Sequence, residues 1–218
     1  MIGFGFTERP QPPMVSDTAR WVDQLVALLD ALAIPKASVV GNSFGGAIAL
    51  RLAARHPERV DRLVLMGSVG VPFEITPGLD AVWGYRPSPQ RMRSLLDIFA
   101  HSRELVTDEL AQVRYRASIR PGFQESFAAL FPAPRQRWVD EMVTPDDELS
   151  RLPHETLIVH GRDDQVIPMA TSLHLLQVLP RAQLHVFGRC GHWTQIEWAA
   201  GFNRLVGGFL SDSASAHR

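Results

Sequence analysis

A chain of 218 residues, 45% hydrophobic and 21% charged, is long enough for one well-buried core, and a second full domain is not expected. Its net charge of −1 supplies no global field to recruit nucleic acid or an anionic membrane, and no apolar run reaches the roughly 18 to 20 residues of a membrane span. The one cysteine, Cys190, excludes an intrachain disulfide and a cysteine-cluster metal site; with no charged segment ahead of an apolar one at the N-terminus, a cytoplasmic protein is expected.

The opening stretch, with Gly3, Gly5, Pro10, Pro12 and Pro13, reads as loop. Ser16 or Asp17 can cap a helix through Trp21, Val22, Leu25, Val26, Leu28, Leu29 and Leu32, whose spacing gives it one buried face; Pro35 closes it. Ser38 to Val40 is a short strand, and the helix after Ser43 runs through Leu52 and Ala53 until His56-Pro57 stops it. Leu63 to Met66 is a second buried strand, with Gly67-Ser68 as its exit. From about Val71 to Ser150 prolines punctuate short amphipathic segments without a strand, among them Pro77, Pro89, Pro121 and Pro134. This stretch reads as an inserted helical cap (71–150), with Leu95, Leu96, Ile98 and Phe99, then Leu110 and Val113, as its apolar faces.

The alternation resumes with a strand from Thr156 to His160 and a helix through Leu173, Leu175, Leu176 and Val178. A strand from Gln183 to Phe187 follows, then a last helix from about Trp198 to Leu210 and a Ser-rich tail expected to fray. Strands alternating with helices give the α/β class, a mostly parallel sheet flanked by helices and built from residues 1–70 and 151–218.

In an open parallel sheet, chemistry collects at the carboxyl ends of the strands. Gly41-Asn42-Ser43-Phe44-Gly45 is a G-x-S-x-G turn between a β-branched run and an Ala/Leu/Ile run, which makes Ser43 the candidate nucleophile. Such a turn strains its serine by roughly 1 to 3 kcal/mol, and Gly41 and Gly45 are expected to let strand and helix approach. Two later strand exits carry Asp163 or Asp164, and His192. The order Ser, Asp, His is that of the α/β-hydrolases: the histidine takes the serine proton and returns it to the leaving group, and the aspartate fixes the imidazole tautomer. Cys190 reads as a small buried packer. The other histidines show no ligand spacing, so neither a metal nor a cofactor is implied.

Four motifs carry a family resemblance: Gly3-Phe4-Gly5-Phe6-Thr7-Glu8-Arg9-Pro10, Gly41-Asn42-Ser43-Phe44-Gly45-Gly46, His160-Gly161-Arg162-Asp163-Asp164 followed by Pro168, and Gly188-Arg189-Cys190-Gly191-His192-Trp193-Thr194-Gln195. Over nearly its whole length the sequence resembles the meta-cleavage product hydrolases of aromatic degradation, a branch of the α/β-hydrolase fold, and above all the 2-hydroxymuconate semialdehyde hydrolases. The resemblance implies Ser43, Asp164 and His192 as the triad and the Phe44 backbone N–H as an oxyanion donor. It further implies Asn42, Arg114 and Trp193 as substrate contacts, and leaves Asp163 a solvated or capping residue. The implied substrates are small planar dienoates, whose carboxylate suits an arginine fork; Arg114 has Arg116 and Arg120 as near neighbours.

The implied activity is a serine hydrolase acting on carboxyl esters, on the carbon–carbon bond of 2-hydroxy-6-oxohexa-2,4-dienoate-type products, or on both. The rival reading is a non-catalytic remnant that binds small hydrophobic acids or other chains. Family members carry strands and a Gly-rich loop ahead of the point where this sequence begins, and that loop supplies a second oxyanion donor. One lost donor lowers turnover about 100- to 1000-fold, so weak activity is expected. The family's strand order also leaves the Ser38–Gly41 strand at a sheet edge. A bare apolar edge invites pairing, so a homodimer or larger homo-oligomer covering it is expected.

Overall fold

Four short runs rich in Val, Leu and Ile form one parallel sheet: β1 (Ala37–Asn42), β2 (Val60–Met66), β3 (Glu155–Gly161) and β4 (Ala182–Phe187), in that order across it. The computed structural model describes residues 1–7, 9–10 and 13–211; Glu8, Pro12 and the Ser-rich tail lie outside the described residues. Helices α1 (Thr18–Ala31) and α2 (Phe44–Arg55) come before β2. Between β2 and β3 stand six α-helices, one 3-10 turn (Arg103–Leu105) and no strand: α3 (Pro77–Trp83), α4 (Pro89–Phe99), α5 (Asp108–Ser118), α6 (Phe123–Leu130), α7 (Gln136–Glu141) and α8 (Asp146–Leu149). Helix α9 (Met169–Val178) joins β3 to β4, and α10 (Thr194–Glu197) and α11 (Ala199–Ser211) follow; α11 is the last helix expected from about Trp198 to Leu210, and the short α10 ahead of it was not expected.

The two-residue period of the strands sorts their side chains between two layers. Leu63, Leu65 and Ile158 join Trp21 of α1, Leu50 of α2 and Leu175 of α9 on one face. Val64, Met66, Leu157 and Val159 point the other way, onto Phe202 and Val206 of α11. Each such fully buried side chain stabilises the fold by about 1.5–3 kcal/mol, so β2 and β3 anchor the sheet. The second layer draws on β2, β3 and β4 but not on β1, and Val40 is 49% exposed. β1 therefore has an open edge and an open face.

Asp17 is the residue that caps α1, its carboxylate accepting the Arg20 N–H at 3.1 Å. Trp21 and Val22 are buried, but Leu28 and Leu32, expected on the same face, are exposed because the last turns of α1 run past the core that its first half packs on. Two of the prolines between β2 and β3 start helices instead of breaking them. Pro77 and Pro89 occupy the first turns of α3 and α4 behind the capping hydroxyls of Thr76 and Ser88, and Thr107 caps α5 likewise.

The close approach of α2 to the sheet rests on Gly41 and Gly46. A Cβ on Gly41 would stand 2.5 Å from the Gly45 carbonyl oxygen, and one on Gly46 would stand 2.1 Å from Ser68 Oγ. Gly45, expected to share this task, has nothing within 4 Å of its Cβ position, because that side of the first turn of α2 is open. Gly46→Ala should therefore destabilise the protein by about 1–3 kcal/mol through overpacking, while Gly45→Ala should be neutral or stabilising by up to about 1 kcal/mol. Urea unfolding midpoints of the two variants check this, and equal midpoints would contradict it.

Candidate active site

Ser43 sits between β1 and α2 at φ 54°, ψ −120°, a left-handed backbone that a side chain rarely adopts. Its N–H donates to the Met66 carbonyl (2.8 Å), and its own carbonyl accepts from the N–H groups of Gly46 (2.9 Å) and Val69 (3.1 Å), so the exit of β2 holds the strained turn in place. The hydroxyl does not cap α2, which leaves it available for chemistry. Phe44 is the first residue of α2, where a backbone N–H has no intrahelical acceptor and the helix dipole is positive. The Phe44 ring is wedged against Trp21, Phe4 and Phe131 at centroid distances of 4.7, 5.7 and 6.0 Å. That packing fixes the start of the helix.

Asp164 lies in the turn after β3, and His192 lies in the loop after β4. Asp164 Oδ1 accepts the N–H groups of Val166 (2.7 Å) and Ile167 (3.0 Å), and Oδ2 accepts His192 Nδ1–H at 2.7 Å. Both side chains are 2% exposed. Burial by itself pushes the Asp164 pKa up, but the charge of His192, its hydrogen bond and the backbone donors outweigh this and hold the carboxyl below its ordinary value. His160, four residues earlier and fully buried, places Nε2 3.6 Å from Asp164 Oδ2. Its Nε2–H donates to the Ile167 carbonyl (3.1 Å) and its Nδ1 accepts from Ser172 Oγ (2.6 Å), an arrangement for the neutral ring. Burial lowers its pKa against the pull of Asp164.

The His192 loop is tied down at several points. The His192 N–H donates to the Phe99 carbonyl at the end of α4 (2.8 Å), and the Gly191 N–H donates to Glu197 Oε1 (2.7 Å). Asp163 has more to do than the sequence assigned it: its N–H donates to the Cys190 carbonyl (2.8 Å) and its carboxylate accepts the Cys190 N–H (3.2 Å), locking the β3 and β4 exits together. Gly67, at φ 45°, stands behind the Asp164–His192 pair; a Cβ there would reach 3.0 Å from Asp164 Oδ2 and 3.2 Å from His192 Nδ1. Cys190 packs beneath, and burial followed by the nearby Glu197, Asp164 and Asp163 raises its thiol to about 12, so it is no nucleophile.

Asn42, Ser43, Phe44, Arg114, His192 and Trp193 all line one cavity of about 240 Å³, closed by aromatic side chains that include Phe4, Trp83 and Phe131. Asp164 stands behind His192. Asn42 Oδ1 is buried without a partner among the described residues, an unsatisfied acceptor in a residue of this wall. The rings of Trp193 and Phe99 stack at 5.0 Å, Phe99 lies 5.8 Å from the His192 ring, and the Arg114 guanidinium rests 5.1 Å over Trp193. Arg114 stays exposed while lining this cavity, and partial burial of its guanidinium lowers its pKa. Arg120 instead lies over Phe6 and Phe123. Phe99 and Gly67 were invisible as site residues in the sequence: one was an apolar residue in an amphipathic run, the other a strand-exit glycine.

Residues 1–199 match the α/β-hydrolase fold family. The chain is 64% identical to a 2-hydroxymuconate semialdehyde hydrolase of Pseudomonas sp. strain CF600, over 99% of this chain and 76% of that protein. It is 60% identical to one from Pseudomonas putida, over 100% and 77%. Among solved structures it superposes at a TM-score of 0.94 on a meta-cleavage product hydrolase from Pseudomonas fluorescens IP01, a serine-to-alanine mutant complexed with acetates. That match is 59% identical and covers 96% of this chain and 77% of the other.

A carboxylate whose folded pKa lies below its unfolded value of about 3.9 stabilises the fold above that pH, and the gain is lost as pH falls through the folded pKa. Asp164→Asn should lower Tm by several degrees near pH 7, and the gap should shrink below about pH 4. Thermal melts across that range check it; a gap that stays constant would remove the ionised carboxylate as its source.

Proposed function

The chain belongs to the α/β-hydrolase fold family, and from that premise we propose that it is a serine hydrolase cleaving the carbon–carbon bond of 2-hydroxy-6-oxohexa-2,4-dienoate-type meta-cleavage products, and also activated carboxyl esters. The observation that carries this reading is the buried Asp164–His192 hydrogen bond of 2.7 Å, with Ser43 and His192 lining the same cavity. The names of the relatives at 60% identity and above support the dienoate as substrate.

In this reading the substrate carboxylate takes the fork of Arg114, beside Asn42 and Trp193, and its carbonyl lies over Ser43. The dienol passes to its keto tautomer. His192 Nε2 then takes the Ser43 proton as the oxygen adds to the carbonyl, and the oxyanion forms at the Phe44 N–H on the positive end of α2. The carbon–carbon bond breaks, His192 returns the proton to the leaving carbon, and water releases the acyl group from Ser43. Asp164 holds the Nδ1–H tautomer and stabilises the imidazolium. The helical segment 71–150 serves as a cap on a core made of 1–70 and 151–218, since its Arg114 and Phe99 complete the cavity wall.

Among the described residues no helix is long and apolar enough to cross a membrane. A cytoplasmic setting for the reaction is supported by the one cysteine. The open edge of β1 and its exposed Val40 support a homodimer or larger homo-oligomer that covers this edge. Light scattering at micromolar concentration should give at least a dimer, and a sharp monomer peak would refute that assembly.

Ser43→Ala should reduce hydrolysis of p-nitrophenyl butyrate and loss of the dienoate chromophore by about 1000-fold or more; rates equal to the parent would defeat the enzyme reading. Arg114→Ala should raise KM for the dienoate about tenfold or more, as expected for one lost charge-assisted contact, and leave KM for the uncharged ester little changed. An unaltered dienoate KM would take Arg114 out of the site.

A further inference from the structure

Beside the cavity that holds Ser43, helices α3 to α6 line a second, larger and partly open chamber of about 430 Å³, most of whose wall the proposed reaction does not use. Its walls are apolar for the most part, with Met92, Leu95, Val113 and Phe123 among them. The polar groups in those walls are largely engaged with one another: the Tyr85 and Ser118 hydroxyls share a hydrogen bond of 3.0 Å, and Gln124 Nε2 donates to the Tyr85 carbonyl (2.9 Å). Val82, Phe99, Arg114 and Phe127 line both chambers, so the two adjoin. Among the described residues, Arg114 is the one permanently charged side chain in either wall.

The guanidinium is engaged on one face by Trp193, and among the described residues no carboxylate pairs with it. A cation–π contact uses the face of the group and leaves the in-plane N–H fork unspent. An apolar chamber of this size with one convergent unpaired cation has the makings of a ligand site. A dienoate held by Arg114 has to reach Ser43, which lines the inner cavity and not this chamber. Something else fits there.

We propose that the outer chamber is a binding site for a medium-chain fatty acid, whose carboxylate takes the Arg114 fork and whose tail lies between α4, α5 and α6. Such an acid competes with a carboxylate substrate for one guanidinium without entering the space over Ser43. The competition rests on Arg114 gripping the dienoate, as proposed above; the binding does not.

The intact protein titrated calorimetrically with butyrate, hexanoate and octanoate should bind about fourfold more tightly per added CH₂, the equivalent of about 0.8 kcal/mol each. Arg114→Ala should abolish binding. Ala117→Trp, which fills the chamber from the exposed face of α5, should also abolish it while p-nitrophenyl acetate turnover stays at the parent rate. Octanoate should raise the apparent KM for the dienoate and leave p-nitrophenyl acetate hydrolysis unchanged. Equal inhibition of both reactions would place the acid over Ser43 and overturn the proposal; so would affinity independent of chain length, or no binding at millimolar acid. The series on the unaltered protein decides the matter if the Ala117→Trp variant does not fold. Chain-length-dependent binding without any dienoate turnover would sink the proposed reaction and leave this site standing, while dienoate turnover without fatty-acid binding would do the reverse.

Discussion

The hydrogen bond between Asp164 and His192 is made where water cannot reach it, and most of the surrounding architecture follows from making that burial tolerable. An ionised carboxylate 2% exposed is costly unless its lone pairs are met. The turn after β3 meets two of them with the N–H groups of Val166 and Ile167, and His192 meets a third. The neutral His160 ring fills the space beside them without adding a second positive charge. Gly67 is a glycine because a methyl group at that point would press on both partners.

The same pair couples the sheet to the helices inserted between β2 and β3. His192 hangs by its own N–H from the last carbonyl of α4, and Glu197 holds the Gly191 N–H and the Ser102 N–H at once. Phe99 then stacks with Trp193, and Arg114 rests on the indole. A displacement at the end of α4 would carry the imidazole with it. The helical segment is therefore part of the machinery that positions His192, and it contributes a cation to a wall otherwise made largely of hydrocarbon and aromatic rings.

The legible parts of the sequence are those where chemistry is local. The β-branched run before Gly41 and the helix formers after Ser43 fix a strand, a turn and a helix through near-neighbour sterics, and the structure has all three. The proline-punctuated stretch showed that short helices were there, and the structure adds that Thr76-Pro77 and Ser88-Pro89 start two of them. Gly45 and Gly46 could not be told apart in this way, because what distinguishes them is Ser68, on a loop beyond another strand. Leu28 and Leu32 keep a helical period but face solvent, since a period records which side is apolar and not how far the covering core extends. Asp163 looked idle until the loop after β4 arrived beside it.

By itself the sequence determined the α/β alternation, the parallel order of its strands, the helical insertion and the three strand exits that bear a hydroxyl, a carboxylate and an imidazole, because propensity, period and turn chemistry act over a few residues. Only the tertiary structure decided that Asp163 ties the exits of β3 and β4 together, that Gly46 rather than Gly45 lets α2 approach the sheet, that Leu28 and Leu32 face solvent, and that a second chamber lies beside the first. Those outcomes are set by contacts between segments far apart in the chain, which no local pattern encodes.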